Sequence, residues 1–432
     1  MKALSILFAA GVAFAGMSGT YTIKPDGSGD FRAFYEAAES LTSQGVSGDC
    51  EFIAYTGTYH EHIILSELIN NHSYTLTFRP AEGESVTITY GGFECEFVDR
   101  LRFTGLVFDD ADYGIELRRC NGCRIEACVF RGVAGGIRVL GCDDDTVVRN
   151  NITLLDQAPA LTFEEAWQRG GHLAANNFIL CHHASGEAAA KFETYKSRFV
   201  YNTVVSHMDD VSWVLSLADM DTLDVRDNIL VLGRECGPEA ACLGAFESYK
   251  SGLICDYNCY LVESLGHAVQ WDSGWLTLPE WQGRGFEAHG LAADPLLVDS
   301  TNLHLRLGSP CIGAAIMIPG IFTDIDGDPR HAARPDVGAD EYTSGAVGER
   351  TTPEASRRTH DASIVRGVLY VPQLGTRSGL PGNPVMSRAV LLDATGRKAL
   401  DLLPGPNDVR HLAPGIYFMR HGSSIAKVVV TR

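Results

Sequence analysis

A hexapeptide that occurs twice carries residue types from which a site could be built. The copies are Phe-Glu-Thr-Tyr-Lys-Ser at 192–197 and Phe-Glu-Ser-Tyr-Lys-Ser at 246–251, and they begin 54 residues apart. If each phenylalanine faces a core, the alternation of a strand points the glutamates and tyrosines outward. The carboxylates could then share a cation or shift each other's pKa, and the lysines could act as bases. The tyrosines could stack on sugar rings.

These segments must be positioned by a repeat that runs through the middle of the chain. Short strands of alternating apolar and polar residues meet Gly, Asn or Asp in each unit, at register positions 106, 128, 151, 177, 202, 228 and 258. A second set of strands precedes them at Ile115/Leu117, Ile137/Val139, Leu161/Phe163 and Phe192. Units of about 22–26 residues with several short strands are typical of the coils of a right-handed parallel β-helix. Leucine-rich repeats are the competing interpretation, but their L-x-x-L-x-L-x-x-N frame is missing.

The repeat predicts a ladder of asparagines at one corner of the coils. Its members are Asn151, Asn177, Asn202, Asn228 and Asn258. Asparagine tolerates the turn conformations that such a corner needs, and its amide can satisfy backbone groups from coil to coil. We therefore assign these residues a structural role.

The ladder also predicts which residues lie beside the two hexapeptides. Glu193 is nine residues before Asn202, and Asp219 is nine before Asn228, so Asp219 is expected in the intervening coil. The predicted catalytic residues are Glu193, Asp219, Glu247, Lys196 and Lys250. The predicted substrate-binding residues are Tyr195, Tyr249 and Asp221. The alternative is that the hexapeptide recurs only because the coils pack in the same way, which requires no ligand.

The N-terminus and the charge indicate where the protein works. Lys2, an apolar run and the pattern Ala13-Phe14-Ala15 predict a secretory signal peptide over residues 1–15, with a buried N-terminal helix as the alternative. The net charge of −19 argues against a nucleic-acid partner. No apolar run reaches the roughly 18 residues of a transmembrane segment. We expect a secreted or cell-surface protein.

The twelve cysteines allow several interpretations in an exported protein. Cys236 and Cys242 flank a short Gly-Pro loop and are the best local candidates for a disulfide. Cys120 and Cys123 have the spacing of metal ligands, but no second pair or histidine completes a zinc site. Packing in a core is the expected role of Cys120, Cys128 and Cys142.

Composition divides the chain into domains. The segment 343–362 is rich in Gly, Ser, Thr, Pro and charge, which predicts a linker. We expect a β-helix domain over 16–342 and a small β-sandwich over 363–432. Near the N-terminus, apolar residues from Phe31 to Leu41 share one helical face, and Asp30 is the expected N-cap. This helix would cover the open edge of the first coil.

Three segments resemble known families. The opening Tyr21-Thr-Ile-Lys-Pro-Asp-Gly-Ser-Gly-Asp-Phe31, with Glu36-Ala-Ala and Gly57-Thr-Tyr-His-Glu61, resembles pectin methylesterases and other pectin-lyase-like β-helices. The Gln-Asp-Thr and Asp-Phe-Ile-Phe-Gly segments that carry the esterase chemistry are absent, so methylesterase activity is not expected. Segments from Leu278-Pro-Glu-Trp-Gln282 to Asp324-Ile-Asp-Gly-Asp-Pro-Arg330 and Pro335-Asp-Val-Gly-Ala-Asp-Glu341 resemble the closing region of secreted bacterial β-helix proteins. The tail, with Leu412-Ala-Pro-Gly-Ile-Tyr-Phe418, resembles the C-terminal sorting domains of type IX secretion cargo.

Two classes of function follow from these resemblances. One is an enzyme acting on an extracellular polysaccharide, either a polysaccharide lyase or a glycoside hydrolase. The other is a non-catalytic glycan-binding, structural or adhesion protein that uses the same face. An acidic domain repels a polyuronate, so a polyuronate substrate would require Ca2+ to bridge the carboxylates. The motif Asp324-x-Asp326-Gly-Asp328 resembles a calcium loop, but its glycine is misplaced, and we interpret it as a turn. The secretion machinery is the partner implied by the tail.

Overall fold

The computed structural model describes most of the chain, which divides into two compact units, residues 1–348 and 349–432. The described residues of the first unit are 16–68, 71–154, 159–164, 170–182, 187–208, 212–218, 221–246 and 252–343. Those of the second unit are 363–365, 368–371, 389–393, 397–402, 405–409, 412, 415–421 and 424–430. The predicted signal peptide lies outside the described residues.

The first unit is a parallel β-helix in which each coil passes through three sheets. The first sheet contains ten described strands, all parallel: Met17–Ile23, Val46–Ala54, Leu76–Pro80, Leu101–Thr104, Arg124–Glu126, Thr146–Val148, Leu173–Ala175, Arg198–Val200, Asp224–Arg226 and Ile254–Asp256. Each of these strands pairs with the equivalent strand of the next coil, as Phe103 does with Ile125. The steps of about 22–30 residues predicted from the sequence are therefore the coil lengths.

The second and third sheets form the rest of each coil. The second sheet comprises Gly57–Ser66, Val86–Glu96, Val107–Ala111, Val129–Val133, Asn151–Leu154, Phe178–His182, Thr203–His207, Ile229–Leu232, Cys259–Val262 and Leu291–Ala292. The third comprises Tyr113–Arg118, Gly135–Leu140, Leu161–Glu164, Ala188–Glu193, Trp213–Ala218, Ala241–Ala245, His267–Trp271 and the antiparallel Gly274–Leu276. The first two long strands bend from the second sheet into the third, so Val86–Glu96 pairs with both Val107–Ala111 and Tyr113–Arg118.

Alternate residues of the strands fill the interior. Phe52, Phe78 and Phe103 come from successive coils and stack with ring centroids 4.8 and 5.7 Å apart. On the third sheet, Phe163 and Phe192 face inward and are fully buried. Because side chains alternate between the faces of a strand, their neighbours Glu164 and Glu193 point outward.

A buried ladder of asparagines joins the coils, with one correction to the prediction. Its members are Asn150, Asn177, Asn202, Asn228 and Asn258. Each member after the first accepts the backbone N–H and a side-chain N–H of the asparagine before it. Asn151, predicted as the first member, instead begins the next strand with its side chain half-exposed. Glu287 ends the ladder by accepting the backbone and side-chain N–H groups of Asn258.

The two ends of the β-helix are closed differently. A helix over Phe34–Gln44 buries Phe34, Ala37, Ala38 and Leu41 against the first coils, as predicted. Its N-cap residue is Ala33, so the prediction of Asp30 as the cap is wrong. The carboxylate of Asp30 accepts bonds from Thr22, while Glu61 accepts the first N–H groups of the helix. At the other end a short helix, Leu278–Gln282, carries the buried Trp281.

The segment 293–343 covers the outer face of the second sheet. Its buried residues Leu303, Leu305, Ile318 and Val337 pack on a group from the second sheet that includes Phe178. Asp324 Oδ1 accepts the backbone N–H groups of Asp326 and Asp328, so this motif is a turn, as predicted. No described helix of the chain is long and apolar enough to cross a membrane.

The cysteines are buried free thiols, including Cys236 and Cys242, so the predicted bridge between these two is not formed. Cys120, Cys128 and Cys142 lie in the core, as expected. Burial raises the pKa of Cys128 to about 12, which keeps this thiol protonated and unreactive at neutral pH.

The described strands of the second unit are paired mainly in the antiparallel direction. Five strands form one sheet in the order Ser363–Val365, Ser424–Val430, Gly415–His421, Ala389–Asp393, Lys398–Leu402. The first pair of this sheet is parallel. Val368–Val371 and Gly405–Asp408 form a second, two-stranded sheet. The core of the second unit is formed by the buried residues Leu391, Leu402, Val409 and Tyr417.

Asp227 gives a testable pH dependence of stability. Its φ of 60° is left-handed, its Oδ1 accepts the N–H of Ile316, and burial raises its pKa to about 8 despite Arg226 and Arg330 nearby. The unfolded carboxyl ionises near pH 4, so the folded protein holds the extra proton and loses stability as the pH rises from about 4 to 8. Asp227→Asn, which suits the left-handed conformation, should remove this loss and raise the free energy of unfolding at pH 8 by up to about 5 kcal/mol.

Denaturant unfolding at pH 5 and pH 8 measures this effect. The control is Asp224→Asn, which breaks the ion pair of Asp224 with Arg226 and should not stabilise the protein. A gain for Asp227→Asn that is equal at both pH values would contradict the assigned pKa.

Candidate active site

A groove on the outer face of the third sheet brings together the charged and aromatic residues of several coils. Two adjoining cavities of about 250 Å³ each form it, and they share Tyr113 and Arg138. The first cavity extends to His62 and Tyr90 and the second to Glu164 and Lys191. We call this feature the third-sheet groove.

The strand register places Glu164 beside Glu193 near one end of the groove. The two residues are direct partners in neighbouring parallel strands, which lie roughly 4.8 Å apart. Lys191 Nζ lies 3.6 Å from Glu164 Oε1 and 3.2 Å from Glu187 Oε2. Ser216 Oγ donates a hydrogen bond of 3.1 Å to Glu193 Oε1. Three carboxylates and an ammonium thus form one cluster at the groove.

The environment gives the members of this cluster different protonation behaviour. Burial raises the pKa of Glu193, and although Lys191 and the bond from Ser216 act in the opposite direction, the charges of Glu164 and Glu187 add to the rise. Burial disfavours the charged form of Lys191, but the hydrogen bond to Glu187 and the surrounding carboxylates outweigh it and raise its pKa. Lys191 is therefore an ammonium ion, and Glu193 is a carboxyl group whose protonated form is favoured by its surroundings.

Further along the groove, two arginines hold a buried carboxylate. Glu116 is almost fully buried and accepts hydrogen bonds from Arg118 and, at 2.7 Å, from Arg138. Arg118 also lies 3.6 Å from Glu94, which pairs with His62 at 3.2 Å. The cations of this part of the groove are thus already compensated by carboxylates.

Two exposed tyrosines flank the first cavity. Tyr90 is 60% exposed, has a φ of 75° and stacks on His60. Tyr113 is 48% exposed, and its ring covers Gly135, where a Cβ would lie 2.7 Å from the ring. A left-handed conformation is rare for tyrosine, and such residues cluster at functional sites. The pair offers flat apolar surfaces to a ligand in the groove.

The structure corrects the predicted row of carboxylates. The partner of Glu193 in the next coil is Ala218, so the predicted register that placed Asp219 beside Glu193 is wrong. Farther along, the N–H of Lys196 donates to Asp221 O, which keeps Tyr195 level with Asp221 as predicted. One additional residue therefore lies between Ala218 and Asp221. The prediction placed Asp219 by counting nine residues back from Asn228, and such a count does not show where in the coil an additional residue lies.

Three other predicted site residues, Tyr195, Lys196 and Asp221, lie beyond the ends of the third-sheet strands. The strand ends at Glu193, so Tyr195 and Lys196 lie in the following turn, where Lys196 has a φ of 50° and its Nζ lies 5.7 Å from the Tyr195 ring centroid. Tyr195 is half-buried, while Lys196 and Asp221 are exposed. Asp219, Glu247, Tyr249 and Lys250 lie outside the described residues. Glu193 is the predicted residue that the structure joins to the groove cluster.

A second trio has the residue types of a catalytic triad but lacks its geometry. Asp145, His172 and Ser197 follow one another along a buried corner, and none is more than 3% exposed. Ser197 Oγ accepts the backbone N–H of His172 and donates to Tyr195 O. Burial lowers the pKa of His172 to about 4. The trio therefore joins coils and activates no nucleophile.

No family model matches the chain, and no curated protein matches it. The solved structure of pectate lyase Pel9A is similar with a TM-score of 0.40 and 10% identity, covering 77% of this chain and 98% of that one. The alginate lyase from Paenibacillus sp. str. FPU-7 is similar with a TM-score of 0.34 and 12% identity, covering 59% and 97%. The strand register itself gives the fold, and the site rests on this chain's own residues.

Proposed function

We propose that the protein is a glycoside hydrolase that acts on an extracellular polysaccharide bound along the third-sheet groove. The observation that carries this proposal is the register pairing of Glu164 with Glu193 around Lys191. Glycoside hydrolysis requires two carboxyl groups on either side of the scissile bond, one of them protonated. The raised pKa of Glu193 suits the general acid.

The roles of the two carboxyls follow from their surroundings. Glu193 donates its proton to the glycosidic oxygen as the bond breaks, and Glu164, whose charge Lys191 compensates, attacks the anomeric carbon. Water then releases the sugar, with Glu193 taking back a proton from that water. Retaining enzymes hold their carboxyls about 5–5.5 Å apart and inverting ones about 6.5–9.5 Å apart. A strand spacing of roughly 4.8 Å favours retention of anomeric configuration.

The charges of the groove favour a neutral polysaccharide. Six carboxylates line or border it, against three cations that are themselves paired: Glu94, Asp112, Glu116, Glu164, Glu187 and Glu193 against Arg118, Arg138 and Lys191. A polyuronate would be repelled unless Ca2+ bridged the carboxylates. A lyase also needs an unprotonated base, and the ammonium of Lys191 is not one.

A panel of polysaccharides tests the proposal. The full chain is incubated with neutral and acidic polysaccharides, with and without Ca2+, while reducing ends and unsaturated products are measured. Hydrolysis of a neutral polysaccharide without unsaturated products is the expected result, and NMR of the first product should show the anomer of the substrate. Unsaturated products from a polyuronate in Ca2+ would instead establish a lyase. Binding without any product would establish the non-catalytic glycan-binding function.

Tyr113 should contribute to affinity rather than to chemistry. Removing an aromatic ring that stacks on a sugar typically costs about 1 kcal/mol or more of binding free energy. We expect Tyr113→Ala to weaken binding of a cleaved polysaccharide roughly fivefold or more. Affinity electrophoresis and calorimetry measure the effect. The control is Tyr35→Ala, an equally exposed tyrosine on the capping helix. Equal affinities of the two variants would exclude Tyr113 from the binding surface.

We further propose that the chain is exported and reaches the secretion machinery through residues 363–432. The signal-like segment 1–15 and the sorting-like tail support this. Fractionation of the native host should find the processed protein outside the cytoplasm. Unprocessed protein confined to the cytoplasm would contradict export.

A further inference from the structure

The segment 293–343 contains a cluster of metal-binding residue types that the proposed hydrolysis does not use. Apart from two isolated bridges, its described residues contain no strand and no helix. Long irregular segments are uncommon in compact domains and need specific contacts to remain ordered. Three potential ligands from separate parts of this segment meet at one place, and they are His304, Asp326 and Asp340.

The three side chains are close enough to share one ion. Their ligand atoms all lie within 4.8 Å of one another, and His304 Nε2 is 3.0 Å from Asp326 Oδ2. Ligand bonds to Zn2+ are about 2.0–2.2 Å from nitrogen or carboxylate oxygen. Atoms around one zinc ion are therefore up to about 4 Å apart, so only small side-chain rotations would be needed.

Hydrogen bonds outside the cluster orient the ligands. Asn302 Oδ1 accepts the backbone N–H of His304, which fixes this oxygen as an acceptor. The same oxygen is bonded to His304 Nδ1, so Nδ1 carries the proton and Nε2 faces Asp326. A histidine that binds a metal commonly donates its other N–H in this way. Asp340 is held by the N–H of Leu305 at 2.8 Å.

The surroundings favour a divalent cation over an empty cluster. His304 has 25% of its side chain exposed, Asp326 15%, and Asp340 is buried. Buried Asp324 adds a third carboxylate nearby. One imidazole with two carboxylates suits zinc, because Ca2+ prefers six to eight oxygen ligands. The Phe178 ring packs against His304 and closes one side.

We propose that His304, Asp326 and Asp340 bind one Zn2+ ion, which ties three distant parts of the segment 293–343 together. Water occupies the fourth position. The ion stabilises the covering of the second sheet and takes no part in chemistry at the third-sheet groove.

Zinc titration of the full-length protein tests this site. The EDTA-treated protein is titrated with Zn2+ against a chromophoric chelator, and its melting temperature is measured with and without Zn2+. We expect one equivalent to bind and the melting temperature to rise. Loss of an orienting partner alone weakens metal sites 10- to 100-fold, so His304→Ala should weaken binding by about 100-fold or more. If His304→Ala does not fold, Asp326→Asn, which keeps the size of the side chain, replaces it.

The matched control is His289→Ala. His289 forms the same kind of imidazole–carboxylate pair, with Asp256 at 2.9 Å, and belongs to no described group of three ligands. This variant should bind Zn2+ like the wild type. The proposal is overturned if Zn2+ leaves the melting temperature of the wild type unchanged, or if His304→Ala binds as tightly as the wild type. If His304→Ala melts below the wild type by the same amount with and without Zn2+, His304 and Asp326 form only an ion pair and bind no metal.

Discussion

Replacing Glu193 with glutamine should reduce kcat on the cleaved polysaccharide by about 10³-fold. General acid catalysis typically contributes about 10²- to 10⁴-fold, and glutamine keeps the shape of the side chain while removing the proton that it delivers. The hydrogen bond from Ser216 Oγ can be kept by the amide oxygen, so the fold should persist. The rate of reducing-end formation, compared with the affinity for the same polysaccharide, separates lost chemistry from lost binding.

Glu164→Gln should have a comparable effect on kcat for a different reason. It removes the group that attacks the anomeric carbon, so the covalent glycosyl intermediate can no longer form. The control is Glu96→Gln, an exposed carboxylate of the same outward row that pairs with Arg119, distant from Lys191. This variant should cleave at the wild-type rate. Full activity of Glu193→Gln would remove the pair from the mechanism.

The pH profile follows from the same cluster. The general acid must be protonated, so activity should fall on the alkaline side as Glu193 ionises. The charge of Lys191 lowers the pKa of Glu193, opposing the effect of burial. Removing that charge in Lys191→Met should therefore move the alkaline limit of kcat to higher pH. A limit that stays in place would show that another group is the acid.

Much of the fold could be predicted because each coil repeats the same constraint. The alternation of apolar and polar residues before register positions 106 and 128 predicted adjacent strands, and in those strands Phe103 does pair with Ile125. The ladder was displaced by one residue at its first member because Asn150 and Asn151 are adjacent and equally suited by type. Only the position of the corner distinguishes them. Asn150 lies in the buried corner and Asn151 begins the next strand.

The site was predictable in part. Glu193 was found because its hexapeptide recurs in the sequence, but its partner Glu164 does not belong to a recurring segment. The second set of predicted strands could have revealed Glu164. In that set Phe163 lies level with Phe192, so the residues that follow them, Glu164 and Glu193, must also be level. Aligning by the ladder alone failed because coils gain residues in turns without changing the strands. Tyr113 and Arg138 come from coils in which no local pattern distinguishes a ligand-facing side chain from any outward one.

Replacing Asn202 with alanine should be among the most destabilising single changes in the β-helix. Its side chain is fully buried, and Oδ1 accepts both the backbone N–H and the Nδ2–H of Asn177. Its Nδ2 donates to Ala174 O and to Asn228 Oδ1. Alanine would leave these groups buried without partners, at about 1–3 kcal/mol for each one that water cannot reach. We expect the free energy of unfolding to fall by about 3–5 kcal/mol.

Equilibrium unfolding in guanidinium chloride, with Asn151→Ala as the control, measures this loss. Asn151 is likewise an asparagine, and it begins a strand of the second sheet. Its side chain is half-exposed and does not belong to the ladder. Surface substitutions of this kind usually change stability by no more than about 0.5 kcal/mol. Because the stack continues through Asn228 to Asn258 and Glu287, the loss should spread to neighbouring coils as faster amide hydrogen exchange. Equal stabilities of the two variants would mean that water replaces the amide and that strand pairing alone holds the coils in register.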